Sequence, residues 1–127
     1  MRSLFGGFID PTATFYGGVT MRSRLEADFA AHLDAMGVRW TYEPRIFGPE
    51  GSGYLPDFEV ARGDGRPCYI EVKPRRADVR GAARRMEVVW ADEPTALLIV
   101  ACAEGCTFSA ALAGGRWTSW VERWRHG

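Results

Sequence analysis

The sequence predicts an α/β fold built on a mixed sheet, and three observations carry that prediction. A helical stripe comes first, three strand stretches joined by turns follow it, and an arginine-edged second helix leads into a fully apolar strand. Strands joined by short turns run antiparallel, whereas a strand reached through a helix lies parallel to the one before it.

The elements follow in chain order. Residues 1–20 carry Gly6, Gly7, Pro11, Gly17 and Gly18 among scattered aromatics, which reads as an irregular arm. From Ser23 onward Leu25, Phe29, Leu33 and Met36 recur at helical spacing, and Gly37 ends the helix. Val38, Trp40 and Tyr42 then alternate with Arg39 and Thr41, the period of a strand with one buried face. Glycines and Pro49 between Phe47 and Tyr54 make a turn, and a second strand starts near Pro56, where a missing N–H is tolerated. Gly63-Asp64-Gly65 turns the chain into a third strand, Cys68 to Lys73, with Ile70 and Val72 on one face and Glu71 and Lys73 on the other. Pro74 closes it.

Val79, Ala82, Ala83, Met86 and Val89 mark the buried stripe of a second helix, with Arg76, Arg80 and Arg84 on its outer side. Ala96 to Cys102 is apolar throughout and belongs in the sheet interior, parallel to the third strand. Trp117, Trp120, Val121 and Trp124 have helical spacing, and Ser119 with Glu122 fits a capping box, so the reading ends on a short helix that packs its tryptophans into the core.

Composition limits what such a fold can do. A chain of 127 residues is expected to form one domain, residues 1–127, and its 46% hydrophobic content is that of a globular protein. The longest apolar run, Ala96 to Ala103, is far shorter than the ~20 residues that cross a bilayer. The N-terminus lacks the apolar core of a signal peptide, and Cys68, Cys102 and Cys106 are odd in number, so a reducing, cytoplasmic setting is expected. Cys102 and Cys106 have no second ligand pair for zinc and read as buried thiols. His32 lies beside the apolar stripe of the first helix and reads as packing; His126 is assigned no chemistry. Phosphate-binding glycine loops are absent.

Sixteen basic and 16 acidic residues cancel, which excludes a whole-molecule electrostatic grip on nucleic acid and leaves only a local one. Lys73 is the only lysine beside fifteen arginines. Lysine offers a compact charge with a movable pKa, which the guanidinium does not. If Gly63 to Gly65 form the hairpin loop, Arg62 pairs with Arg66, and counting back along both strands sets Asp57 opposite Glu71. Lys73 is two residues beyond Glu71 and shares its face. Adjacent carboxylates repel unless a proton or cation joins them, and hydrated oxygen sites suit Mg2+. The bland alternative makes Glu71 and Lys73 the solvated side of a half-exposed strand. Downstream, Lys73 to Arg85 holds six basic residues, Lys73, Arg75, Arg76, Arg80, Arg84 and Arg85, against Asp78 alone; such a run is either a solvated helix face or a set of phosphate contacts.

Glu26 on the first helix, LPDF at 55–58 and IEVKP at 70–74 resemble the PD-(D/E)XK nucleases, the restriction-endonuclease-like fold. The stretch from Tyr16 to Pro74 is also similar to small phage and actinobacterial proteins of that superfamily and, more distantly, to transposon-encoded end-cutting endonucleases. The resemblance implies an α/β/α sandwich whose mixed central sheet carries the site on its second and third strands. It further implies that Asp57, Glu71 and the backbone carbonyl of Val72 hold Mg2+, with Mn2+ able to substitute. Lys73 would position the attacking water, and Glu26 would bind a second metal or a water of the first. Glu26 has a second reading from the residues themselves, since Ser23-Arg24-Leu25-Glu26 fits a capping box.

The function expected is therefore that of a metal-dependent DNA endonuclease or nicking enzyme, hydrolysing phosphodiester bonds with Arg75, Arg76, Arg80, Arg84 and Arg85 on the DNA. The neutral total charge suggests delivery by a DNA-binding partner protein, or a homodimer. The alternatives are a non-catalytic nucleic-acid-binding or assembly subunit of the same fold, and a Holliday-junction resolvase, which would need a symmetric dimer.

Overall fold

The computed structural model describes residues 12–49, 53–104 and 107–121. Thr14–Tyr16 (β1) and Val19–Met21 (β2) form a small hairpin, followed by helix α1 (Arg24–Ala35) and strands β3 (Trp40–Tyr42), β4 (Phe58–Ala61) and β5 (Pro67–Lys73). A 3-10 turn (Arg76–Asp78), helix α2 (Val79–Met86) and the short helix α3 (Val89–Asp92) lead to β6 (Leu97–Cys102), and β7 (Thr107–Ala111) and β8 (Thr118–Val121) complete the sheet. The six strands lie in sequence order, β3-β4-β5-β6-β7-β8. All neighbours are antiparallel except β5 and β6, which are parallel because the helices cross between them. The expected α/β fold with a mixed sheet is the one observed.

Helices cover both faces, giving three layers. Phe29, Ala30 and Leu33 of α1 pack with Phe58, Cys68, Ile70 and Val72 on one side. On the other, Ala82, Ala83 and Met86 of α2 and Val89 of α3 pack with Tyr69, Leu98 and Val100. Strand β5 therefore sends its even positions to α1 and its odd positions to α2, and both faces are covered. That overturns the half-exposed reading of the strand: Glu71 is only 8% exposed.

Helix α1 starts and stops as its sequence dictates. The Ser23 hydroxyl accepts the Glu26 N–H at 3.1 Å. At the other end Gly37 (φ 73°) is left-handed, with its N–H on the Asp34 carbonyl and the Val38 N–H on that of Leu33. This pair of bonds is a Schellman stop.

Two segments depart from expectation. The arm read as irregular contains the β1–β2 hairpin, closed by Gly17 (φ 60°) and Gly18 (φ 83°), a two-residue turn that needs positive φ at both positions; residues 1–11 lie outside the described residues. The closing helix expected around Trp117 and Trp120 is instead strand β8, paired with β7; Trp124 and Glu122 lie outside the described residues. Strand β5 pairs with only one edge of the apolar strand β6, so the chain beyond is drawn onto the other edge, and the turn at Gly114 (φ 74°) returns it as a hairpin. Thr118, Trp120 and Val121 also suit a strand better than a helix.

Cys102 is a buried thiol, as expected; Cys68 is buried too, and burial pushes its thiol up to about 12. Cys106 lies outside the described residues. His32 packs its ring 5.9 Å from that of Phe29. No helix among the described residues is long and apolar enough to cross a membrane.

Candidate functional site

The β4–β5 hairpin sets the register on which the site depends. Phe58 faces Ile70, Glu59 faces Tyr69, Val60 faces Cys68 and Ala61 faces Pro67, with the Arg62 N–H closing the turn on the Arg66 carbonyl at 2.8 Å. One step further back brings Asp57 level with Glu71, as the turn residues predict. The Asp57 carboxylate reaches across and accepts the Val72 N–H at 2.8 Å, while its own carbonyl accepts the Glu43 N–H, also at 2.8 Å. Asp57 is thus pinned between strands at 3% exposure.

Glu71 and Lys73 share the face that Asp57 occupies. The Lys73 ammonium sits 3.4 Å from the Glu71 Oε2, and the Tyr54 hydroxyl donates to its Oε1 at 2.5 Å. Tyr54 is delivered by the loop after β3: Phe47 and Tyr54 exchange backbone bonds of 2.7 and 2.6 Å. Phe47 anchors that loop by packing edge-on against Tyr69, with ring centroids 5.0 Å apart.

Glu26 arrives from the first turn of α1 at 8% exposure. Its Oε1 accepts the Arg22 N–H at 3.2 Å and the Tyr42 hydroxyl at 2.7 Å. Only half of the capping box has this form: Ser23 caps the helix, but the glutamate reaches Arg22 and Tyr42. Its carboxyl also lies within hydrogen-bonding reach of Asp57.

The electrostatics follow from this crowding. Burial, then the negative charge of Glu71, then that of Glu26 hold the Asp57 carboxyl well above the usual carboxylate range, and the Val72 N–H only partly opposes them. Burial first, and then the Glu71 charge, drive the Tyr54 hydroxyl far above its ordinary value, and Arg85 on α2 opposes them. Burial likewise pushes Tyr42 up to about 12. Both phenols remain protonated donors. Arg22 supplies some counter-charge: one guanidinium nitrogen lies 2.8 Å from Glu43 and 3.7 Å from Asp57. Glu43 holds a left-handed backbone (φ 47°), a strained conformation for a residue with a side chain, at the bend that brings it against Asp57.

Asp57, Glu71, Lys73 and Glu26 are thus gathered at one place. Among the described residues, no group of three or more His, Cys, Asp or Glu side chains is arranged to hold a metal ion. The oxygen donors at hand are the two facing carboxylates and backbone carbonyls such as that of Val72. Such a set suits a hard cation, and the excess negative charge around Asp57 is what a dication would neutralise.

The arginine run divides. Arg75 pairs with Asp78 at 3.4 Å. Arg76, Arg80 and Arg84 line a groove beside α2, whereas Arg85 acts on the Tyr54 side. Sequence reasoning missed Tyr54, Tyr42, Arg22 and Glu43. Tyr42 reads as a core position from its alternation, and the other three sit in turns without periodicity, so no local signal marks them.

No family model and no curated protein matches this sequence. A solved structure does: a "putative nuclease belonging to DUF820" from Anabaena variabilis superposes with a TM-score of 0.52 at 13% identity, over 88% of this chain and 78% of that one. At that identity the likeness is one of fold.

Proposed function

We propose that the protein is a metal-dependent DNA endonuclease or nicking enzyme of the PD-(D/E)XK type. The observation that carries the reading is the buried Asp57–Glu71 pair with Lys73 beside it, charge that stability alone would not assemble. The likeness in fold to a protein described as a nuclease supports it. Asp57, Glu71 and the Val72 carbonyl would hold Mg2+ or Mn2+, and Glu26 would serve a second ion or a water. Bound there, the ion would supply Lewis acidity and neutralise charge developing on a phosphodiester.

The chain's own groups do the rest. The Lys73 ammonium, tethered to Glu71, would offer its remaining protons to a water attacking the phosphate. Tyr54 fixes the rotamer of Glu71, and Tyr42 fixes that of Glu26. Arg85 places a cation on the same side of α2 as Tyr54, where it would meet the substrate's phosphates.

The test is incubation with linear, supercoiled, single-stranded and branched DNA plus Mg2+ or Mn2+, with and without chelator. Cleavage that a chelator stops, and that Lys73→Met lowers by roughly 10²-fold or more, is the expected result. Absence of cleavage on every substrate, or cleavage indifferent to chelator, would overturn the reading.

Glu26→Gln separates the two roles of that residue. Glutamine can still accept from the Arg22 N–H and the Tyr42 hydroxyl but brings no charge, so the melting temperature should hold or rise while the Mg2+ concentration for half-maximal cleavage increases. Wild-type cleavage at limiting Mg2+ would leave Glu26 a purely structural role.

A further inference from the structure

We infer that the groove between α2 and the β7–β8 hairpin binds a single-stranded stretch of DNA leading to the site, an assignment that rests on the nuclease reading. The groove has a volume of about 520 Å3. Arg80 and Arg84 line one side a helical turn apart, ~6 Å along the α2 axis, and Arg76 of the preceding 3-10 turn joins them. All three are exposed, and their guanidinium groups form no ion pair among the described residues. Trp117 lines the groove as well, half-buried, its indole N–H held by Glu87 at 2.9 Å.

That bond fixes the indole and engages the one carboxylate of the lining. The result is a line of exposed guanidinium groups beside a pre-oriented aromatic surface. Phosphates follow the cations and an unstacked base can lie on the indole, which is the pairing of a charged track with a stacking platform that single strands use. A duplex keeps its bases stacked on one another and can offer the indole no free face. Position connects the groove to the chemistry: Cys102, part of its lining, is the register partner of Lys73 across β5 and β6. A strand lying along the arginines therefore runs out beside the Asp57–Glu71–Lys73 cluster.

Fluorescence anisotropy with a labelled oligothymidylate and with a duplex of equal length, both in excess chelator to prevent cleavage, tests this. The oligothymidylate should bind roughly tenfold or more tightly than the duplex, and Trp117→Ala should weaken it by roughly tenfold. Trp117→Phe keeps a stacking face and should retain most of the affinity, which guards against loss of fold in the Ala variant. Arg80→Ala with Arg84→Ala should flatten the log-log salt dependence by roughly 0.7 for each phosphate left without its arginine. Equal affinity for duplex, an unchanged Trp117→Phe and Trp117→Ala series, or displacement of the oligonucleotide by millimolar inorganic phosphate at constant ionic strength would overturn the assignment. The two proposals fail separately. Cleavage by wild type with groove variants that bind normally sinks the groove alone; aromatic- and arginine-dependent binding without cleavage on any DNA sinks the nuclease alone.

Discussion

Asp57→Asn is expected to abolish metal-dependent cleavage, by roughly 10³-fold or more, and to stabilise the fold at neutral pH. The side-chain oxygen of asparagine can still accept the Val72 N–H that Asp57 now holds at 2.8 Å. Its amide replaces a charge that is only 3% exposed and that Glu71 and Glu26 both repel. The sign is set by linkage. The folded-state pKa lies above the ordinary 3.8, so between 3.8 and the raised value the native state binds more protons than the unfolded state. This contribution is intact below that window and is lost as pH rises through it. Compared at about pH 4 and at about pH 8, wild type should therefore lose more stability with rising pH than Asp57→Asn does, and at the upper pH the variant should be the more stable by on the order of 1 kcal/mol. Melts in chelator at both ends of the range measure the difference, and Mg2+ should then raise the melting temperature of wild type but not of the variant. A variant less stable than wild type at about pH 8 would show that the carboxylate is held by interactions outweighing its burial and its neighbours.

The part of the site that the sequence displays is the part a single hairpin encodes. Gly63-Asp64-Gly65 fixes the loop, the loop fixes the register, and the register sets Asp57 level with Glu71 and puts Lys73 on the same face. The helix-to-strand crossing likewise implies the parallel β5–β6 pair. Local patterning cannot reveal what longer contacts decide. By local pattern alone Glu71 and Lys73 fit a solvated face as well as a site, and their burial is decided by α2 and the Phe47–Tyr54 loop, contacts that join distant parts of the chain. The tryptophans near the C-terminus fit a helical period because three or four positions are too few to distinguish periods. What decides there is the open side of β6, a demand created elsewhere in the sheet. The missed β1–β2 hairpin differs in kind, since its signal, Gly17-Gly18 between two β-branched and aromatic triplets, is present in the sequence but each strand is only three residues long.

Phe58→Ala should cost about 3–5 kcal/mol of folding stability, the largest loss expected from truncating one side chain here. Phe58 adjoins Asp57, and because successive strand residues point to opposite faces, the two serve opposite layers. The ring is 0% exposed. It meets Phe29 of α1 at 5.6 Å between centroids, Trp40 at 5.7 Å and Tyr42 at 5.5 Å, so it joins α1, β3 and β4 at one point. Alanine would leave a cavity walled by three aromatic rings, which are too rigid to collapse into it. The same rings carry site geometry, because Tyr42 holds Glu26 and β3 leads into Glu43, whose N–H holds the Asp57 carbonyl. Phe58→Leu keeps most of the volume and should cost far less, about 1–1.5 kcal/mol, while still loosening Tyr42. Denaturant unfolding of both variants, alongside cleavage assayed well below their melting temperatures, separates the two effects. If Phe58→Ala unfolds within about 1 kcal/mol of wild type, the aromatic cluster is not what fastens α1 to the sheet. If Phe58→Leu cleaves like wild type at limiting Mg2+, the site's geometry rests on the backbone bonds of β3 to β5 and owes nothing to the ring packing beneath them.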